Sequence, residues 1–175
     1  MMPRKFILKI LTAGDGGVGK TTLLRRYVDG IFTSDTKMTI GVEFFLKNID
    51  IEGNNCSLQL WDFGGQERFR FLLDSYVLGA KGAFFMFDLT RFMTLNRIDH
   101  WLKLCRSDNP DIPILLLGTK LDLKDNISVE DDYVSQIKEQ YNLVDFLKVS
   151  SKTGENIQNA FKKLVRNILE TQYSL

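Results

Sequence analysis

Two stretches of the chain are apolar at nearly every position, Gly82-Ala-Phe-Phe-Met-Phe87 and Ile112-Pro-Ile-Leu-Leu-Leu117. Without polar alternation they read as strands covered on both faces, the situation of a parallel sheet between layers of helix. Further strands are predicted over 5–12, 43–51, 56–62 and 145–149. The 43–51 run alternates more evenly and leads into Glu52-Gly53-Asn54-Asn55, which predicts a hairpin into the next strand. Helical periodicity occupies 20–29, 69–77, 95–107, 129–141 and 157–171. The interleaving of the two periods predicts an α/β fold with a six-stranded, mostly parallel sheet, one antiparallel edge strand and five helices on both faces. No linker, repeat or low-complexity tract breaks the 175 residues, so a single domain over 1–175 is expected.

Charge narrows the partners. Lys and Arg number 23 against 22 Asp and Glu, a net charge of +1, so no bulk positive field exists to hold nucleic acid by counterion release. Any bound anion must be held by local geometry. The two cysteines, Cys56 and Cys105, fit neither a disulfide framework nor a zinc spacing, which points to a reducing, cytoplasmic setting. The apolar runs are too short to span a bilayer, and neither a signal peptide, an acceptor glycine for myristate nor a terminal cysteine is read, so no membrane anchor of its own is expected.

In an open α/β sheet, ligands sit at the carboxyl ends of the strands, so the loops there should carry the chemistry. After the first strand comes Gly14-Asp15-Gly16-Gly17-Val18-Gly19-Lys20-Thr21, which fits G-x-x-x-x-G-K-[ST] and opens a helix. Glycines let the backbone close around a phosphate chain and present N–H groups at a helix N-terminus, where the dipole also favours anions. Lys20 would reach the β- and γ-phosphates, the Thr21 hydroxyl would ligate Mg²⁺, and the nucleotide-binding run is expected over Asp15, Gly16, Gly17, Val18, Gly19, Lys20, Thr21 and Thr22.

Base selection is legible after the fifth strand, in Thr119-Lys120-Leu121-Asp122-Leu123. A carboxylate at Asp122 can accept from the ring N–H and exocyclic amine of guanine, where adenine offers an acceptor and a C–H. A site that leaves such a carboxylate unpaired discriminates by roughly 10⁴ to 10⁵. The Lys120 stem would lie along the base plane and Phe32 would stack at its edge. The sixth strand ends in Ser150-Ser151-Lys152, whose N–H groups can face the guanine carbonyl oxygen.

These segments resemble a small GTPase of the Ras superfamily, a P-loop G domain, closest to the Rab branch. The resemblance rests on residues 14–21, Thr39-Ile-Gly-Val-Glu-Phe44, Trp61-Asp62 followed by Gly65-Gln66-Glu67-Arg68-Phe69-Arg70, residues 79–90, 118–123 and 149–154. It implies that Thr39 binds Mg²⁺ and, through its N–H, the γ-phosphate. It also implies that Asp62 holds Mg²⁺ through water, that Gly65 donates to the γ-phosphate, and that Gln66 orients the attacking water. Lys20, Thr39, Gly65 and Gln66 form the catalytic set, Thr21, Thr39 and Asp62 the metal set, with GTP or GDP and Mg²⁺ as cofactors. Phosphoryl transfer of this kind runs on positioning and electrostatic stabilisation. His100 is accordingly not read as a base.

The resemblance also implies that Gly16 occupies the position where a side chain would obstruct Gln66 or an incoming arginine, and no arginine lies in 33–38 to serve as a finger in cis. Slow intrinsic hydrolysis is therefore expected, accelerated by an activating protein, with exchange factors and effectors reading residues 40–45, Trp61 and 69–76. Trp61 is read equally well as core or as contact surface. A monomer is expected, with the segments around Thr39 and Gly65 loosening when the γ-phosphate is lost.

Departures are visible. Phe63-Gly64 replaces the usual Thr-Ala and gives Asp-Phe-Gly-Gly-Gln, similar to Arf proteins, heterotrimeric G-protein α subunits and some eukaryote-like archaeal small GTPases. The Gly pair predicts wider backbone travel. Thr119 replaces the usual Asn, as in Rho proteins. A GTP-binding module with little hydrolysis, or a metabolite kinase sharing the phosphate loop, stays open as an alternative.

Overall fold

A computed structural model describes residues 2–34, 37–64 and 67–175, with the side chains of 67–69 outside that description. Asp35, Thr36, Gly65 and Gln66 lie outside the described residues, so the expectations placed on Gly65 and Gln66 have no structural counterpart. In chain order the elements are β1 (Lys5–Ala13), α1 (Lys20–Asp29), β2 (Val42–Ile51), β3 (Asn54–Phe63), a 3-10 segment (Glu67–Ser75), β4 (Gly82–Asp88), α2 (Ile98–Cys105), β5 (Ile114–Thr119), α3 (Asp131–Gln140), β6 (Phe146–Lys148) and α4 (Ile157–Tyr173). The sheet runs β2-β3-β1-β4-β5-β6. β2 is antiparallel to β3, and the other pairings are parallel.

β4 shows why a strand can be apolar throughout. Phe84 and Met86 point into the core beneath α1 and α4, beside Leu23, Tyr27 and Phe161. Phe85 and Phe87 point the other way, against Trp101 and Leu102 of α2 and Val134 of α3. Both faces are dry, so the period-2 alternation vanishes. On the first face the Tyr27 and Phe161 rings stack with centroids 3.6 Å apart.

Three differences from the sequence reading have a local physical cause. β5 starts at Ile114, after Pro113, which has no N–H to give a ladder; the Pro113 carbonyl still accepts from Ala83 at 3.0 Å. The hairpin turn is only Glu52-Gly53, with φ of 54° and 80°, while Asn54 already pairs with Ile51. Two successive positive φ values make the turn whose twist matches the strands. The segment expected as a helix over 69–77 is 3-10 over Glu67–Ser75. Its described apolar side chains diverge, Leu73 inward and Phe71 and Leu72 outward, so they form no single stripe to drive α-helical packing.

Candidate functional site

The carboxyl ends of β1, β3, β4, β5 and β6 meet at one edge of the sheet, and the predicted site residues that the structure describes gather there. The β1–α1 loop needs its glycines. Gly14 has φ of 146°, and a Cβ on it would lie 2.3 Å from the Met86 carbonyl oxygen; Gly19, with φ of 98°, ends the loop directly before α1. Inside the loop the Lys20 ammonium donates to the carbonyls of Gly14 at 2.8 Å and Asp15 at 2.9 Å. Burial lowers its pKa to about 8 against the opposing pull of Asp62 and Asp15, so this ammonium is poorly solvated and ready for a phosphate.

Beside Lys20 three oxygen-bearing side chains converge. Thr21 Oγ1 donates to Asp62 Oδ2, Thr21 Oγ1 and Thr39 Oγ1 are 2.7 Å apart, and Thr39 Oγ1 is 3.5 Å from Asp62 Oδ2. Asp62 is fully buried, and its Oδ1 has no hydrogen-bond partner among the described residues. Burial raises the Asp62 pKa, while hydrogen bonds from Thr21 and Thr39 and the charge of Lys20 pull it down. A dry carboxylate with an orphaned oxygen, next to two hydroxyls, is a hard-oxygen set that fits Mg²⁺.

Across the loop lies a cavity of about 480 Å³ lined by Gly17, Val18, Gly19, Thr22, Phe32, Lys120, Asp122, Leu123, Ser151 and Lys152, with Thr119 at its wall. Its volume suits a nucleoside. Asp122 is held by the Ser150 hydroxyl at 2.7 Å, which aims the carboxylate without neutralising it. The Ser150 N–H donates to the Glu155 carbonyl at 3.1 Å, so Ser150 serves the site through its hydroxyl. Thr119 is buried and donates to the Val18 carbonyl at 2.6 Å, tying the base loop to the phosphate loop.

Two residues escaped the sequence reading. Asp88, fully buried at the end of β4, meets Lys120 Nζ at 2.8 Å and Arg91 Nε at 3.0 Å. It fixes the lysine expected along the base. The Arg91 guanidinium also borders the phosphate loop, 3.3 Å from where a Cβ on Gly17 would stand. The available signal was a carboxylate closing an otherwise apolar strand. His100 is exposed on α2 with its ring edge-on to Trp101, 6.0 Å between centroids.

Next to the site, Trp61 on β3 is half-buried and packs against the edge of the core. Its ring packs between Phe44 at 5.1 Å and Tyr76 at 5.5 Å, both partly exposed, and Lys9 Nζ lies 4.5 Å from its centroid. Gly64 joins the two segments flanking the metal set: its N–H donates to the Gly41 carbonyl at 2.8 Å.

Comparison with known proteins agrees with this geometry. The model of the Ras family matches residues 9–170. A relative, the Ras-related protein Rab-18-B of Danio rerio, is 39% identical over 166 residues, covering 94% of this chain and 80% of its own.

Proposed function

The chain belongs to the Ras family of GTPases, and from that premise we propose that it is a switch whose GTP state is held by Thr39 and the 64–66 segment and ended by slow, partner-accelerated hydrolysis. The observation that carries the proposal is the convergence of Thr39 from outside the phosphate loop onto Thr21 and Asp62. A segment tethered at the metal set is one that a γ-phosphate and its cation can order and their loss can release.

Mg²⁺, when bound, neutralises charge on the β- and γ-phosphates. The chain supplies the rest. Loop N–H groups and Lys20 bind the phosphates, Asp122 selects guanine, and Lys120, braced by Asp88, flanks the base. Gln66 is assigned to orient water, by family resemblance. Phe44, Trp61 and Tyr76, with Ile40 exposed nearby, support a reading of this face as the partner surface.

The kinase reading falls with family membership. The inert-binder reading is separated by experiment: identify the nucleotide that co-purifies, then follow phosphate release with and without Mg²⁺. A guanine nucleotide and Mg²⁺-dependent release on the order of 10⁻⁴ per second are expected. GTP persisting through several days with Mg²⁺ would establish a binder, and turnover at several per second would remove the need for a partner.

A further inference from the structure

Asp15 has a second life outside the phosphate site. Its backbone carbonyl faces Lys20, while its side chain turns away toward α2 and the 3-10 segment. There the Trp101 indole N–H donates to Asp15 Oδ1 at 2.9 Å. Trp101 is fully buried, and its N–H is a donor with no other role, so this bond fixes the ring and the loop against each other. Arg70 of the 3-10 segment lies over the same ring, 4.6 Å from its centroid, and places a guanidinium nitrogen 3.7 Å from Asp15 Oδ1. Arg97, before α2, faces Asp15 Oδ2 at 3.9 Å. The Arg70 side chain is only 11% exposed, so its stacking and charge contacts are made where water screens them little.

This docking coexists with Thr39 drawn onto Thr21 and Asp62, the closed arrangement of the metal set. We propose that Trp101 and Asp15 form a positioning pair on which Arg70 docks, coupling the order of the 3-10 segment to the closed phosphate loop. The inference rests on the switch reading above. Arg70 can hold both the ring and the carboxylate only while its segment keeps its place. Whatever orders that segment strengthens the grip on Asp15, and by linkage a loop set by the triphosphate favours the ordered segment. The residues are positioning residues: their contacts with one another set the loop, and Asp15 and Arg70 act on Lys20 through their charge.

The rival account makes Trp101 core filling and its bond to Asp15 mere satisfaction of a buried donor. Two variants of the full chain separate the accounts. Trp101→Phe keeps an aromatic ring under Arg70 and deletes the N–H. Arg70→Met keeps an apolar stem over the ring and deletes the charge. Each is loaded with GDP or a non-hydrolysable GTP analogue, with hydrogen exchange over 67–75, the ratio of the two affinities and the melting temperature as readouts.

In the unsubstituted protein the analogue should protect 67–75 more than GDP does. In both variants that extra protection should shrink and the preference for the analogue should fall about fivefold. The double variant should lose little more than either alone, because the contacts form one chain. A folded variant that keeps the original preference overturns the proposal, whatever its melting temperature; so does a change in one variant without the other. If Trp101→Phe cannot be folded, Arg70→Met decides alone. Absence of any nucleotide difference in the unsubstituted protein would instead sink the switch reading itself, and this coupling with it.

Discussion

At the scale of single residues, Gly64 matters for the space it leaves. A Cβ there would stand 2.6 Å from the Thr39 carbonyl oxygen and 3.0 Å from that of Gly41, both backbone atoms that cannot swing aside. The sequence suggested wider travel from the Gly pair; the geometry adds that Gly64 permits two chain segments to touch. Gly64→Ala should push residues 39–41 outward, at a cost of about 1–3 kcal/mol to the closed form. Affinity for a GTP analogue should then fall about tenfold more than affinity for GDP, measured by competition with a fluorescent nucleotide, and an equal loss for both would contradict the role. Asp88 acts by charge. Burial alone would raise its pKa, but hydrogen bonds from Lys120, Thr90 and Arg91 outweigh it and hold the carboxyl below the usual range. With a folded pKa below the unfolded value of about 3.9, this group stabilises the fold fully above that pH, and the contribution is lost as pH falls through the folded value. Asp88→Asn should release GDP about tenfold faster by unbracing Lys120. Its melting temperature should lie below that of the parent by a steady gap from pH 7 to about pH 4, and the gap should narrow as pH falls further through the depressed folded value. Unchanged GDP release would refute the bracing role, and a gap that stays constant below about pH 4 would refute the titration.

At the scale of elements, legibility followed the locality of the cause. β4 and β5 could be read because burial on two faces marks every position, and the phosphate loop because its spacing is dictated by one phosphate chain and one helix start. Thr39, Asp62, Lys120 and Asp122 are expected at the site from family resemblance or base chemistry, and the structure gathers them at one sheet edge. Asp88 is not, since its meaning depends on β4 lying beside β5, where Asp88 registers with Thr119, the neighbour of Lys120. Nor is the link from Asp15 to Trp101, which spans 86 positions. The helix expected over 69–77 takes the 3-10 form because an apolar count does not say which side chains find a core: Leu73 does, Phe71 stays 74% exposed. Pro113 shortens β5 because proline has no N–H to give the ladder, a limit the sequence itself carries.

At the scale of the whole molecule, the ligand is a cross-link. The loops that line its cleft follow β1, β5 and β6, with Phe63 at the end of β3 and residues 37–39 closing one side. A nucleotide bound there touches elements of both cores and has no counterpart in the unfolded chain, so it stabilises by mass action. At about 100 times its dissociation constant it contributes about 2.7 kcal/mol. In a domain of this size each kcal/mol moves the melting temperature by about 2–4 °C, so a rise of about 5–11 °C is expected. The cation should carry a separable part, because Asp62 is dry, has a raised pKa and keeps one oxygen without a protein donor among the described residues. Asp62 and Thr21 would hold a divalent ion whose charge offsets that cost, and Thr39 would join them when a γ-phosphate is present. Scanning calorimetry with GDP or a GTP analogue, each with Mg²⁺ or with a chelator, tests the arrangement. Chelation should lower the melting temperature of both complexes, and that of the analogue complex more. Equal losses would mean that Thr39 meets Thr21 and Asp62 without regard to the third phosphate, leaving the closed segment a fixed part of the fold.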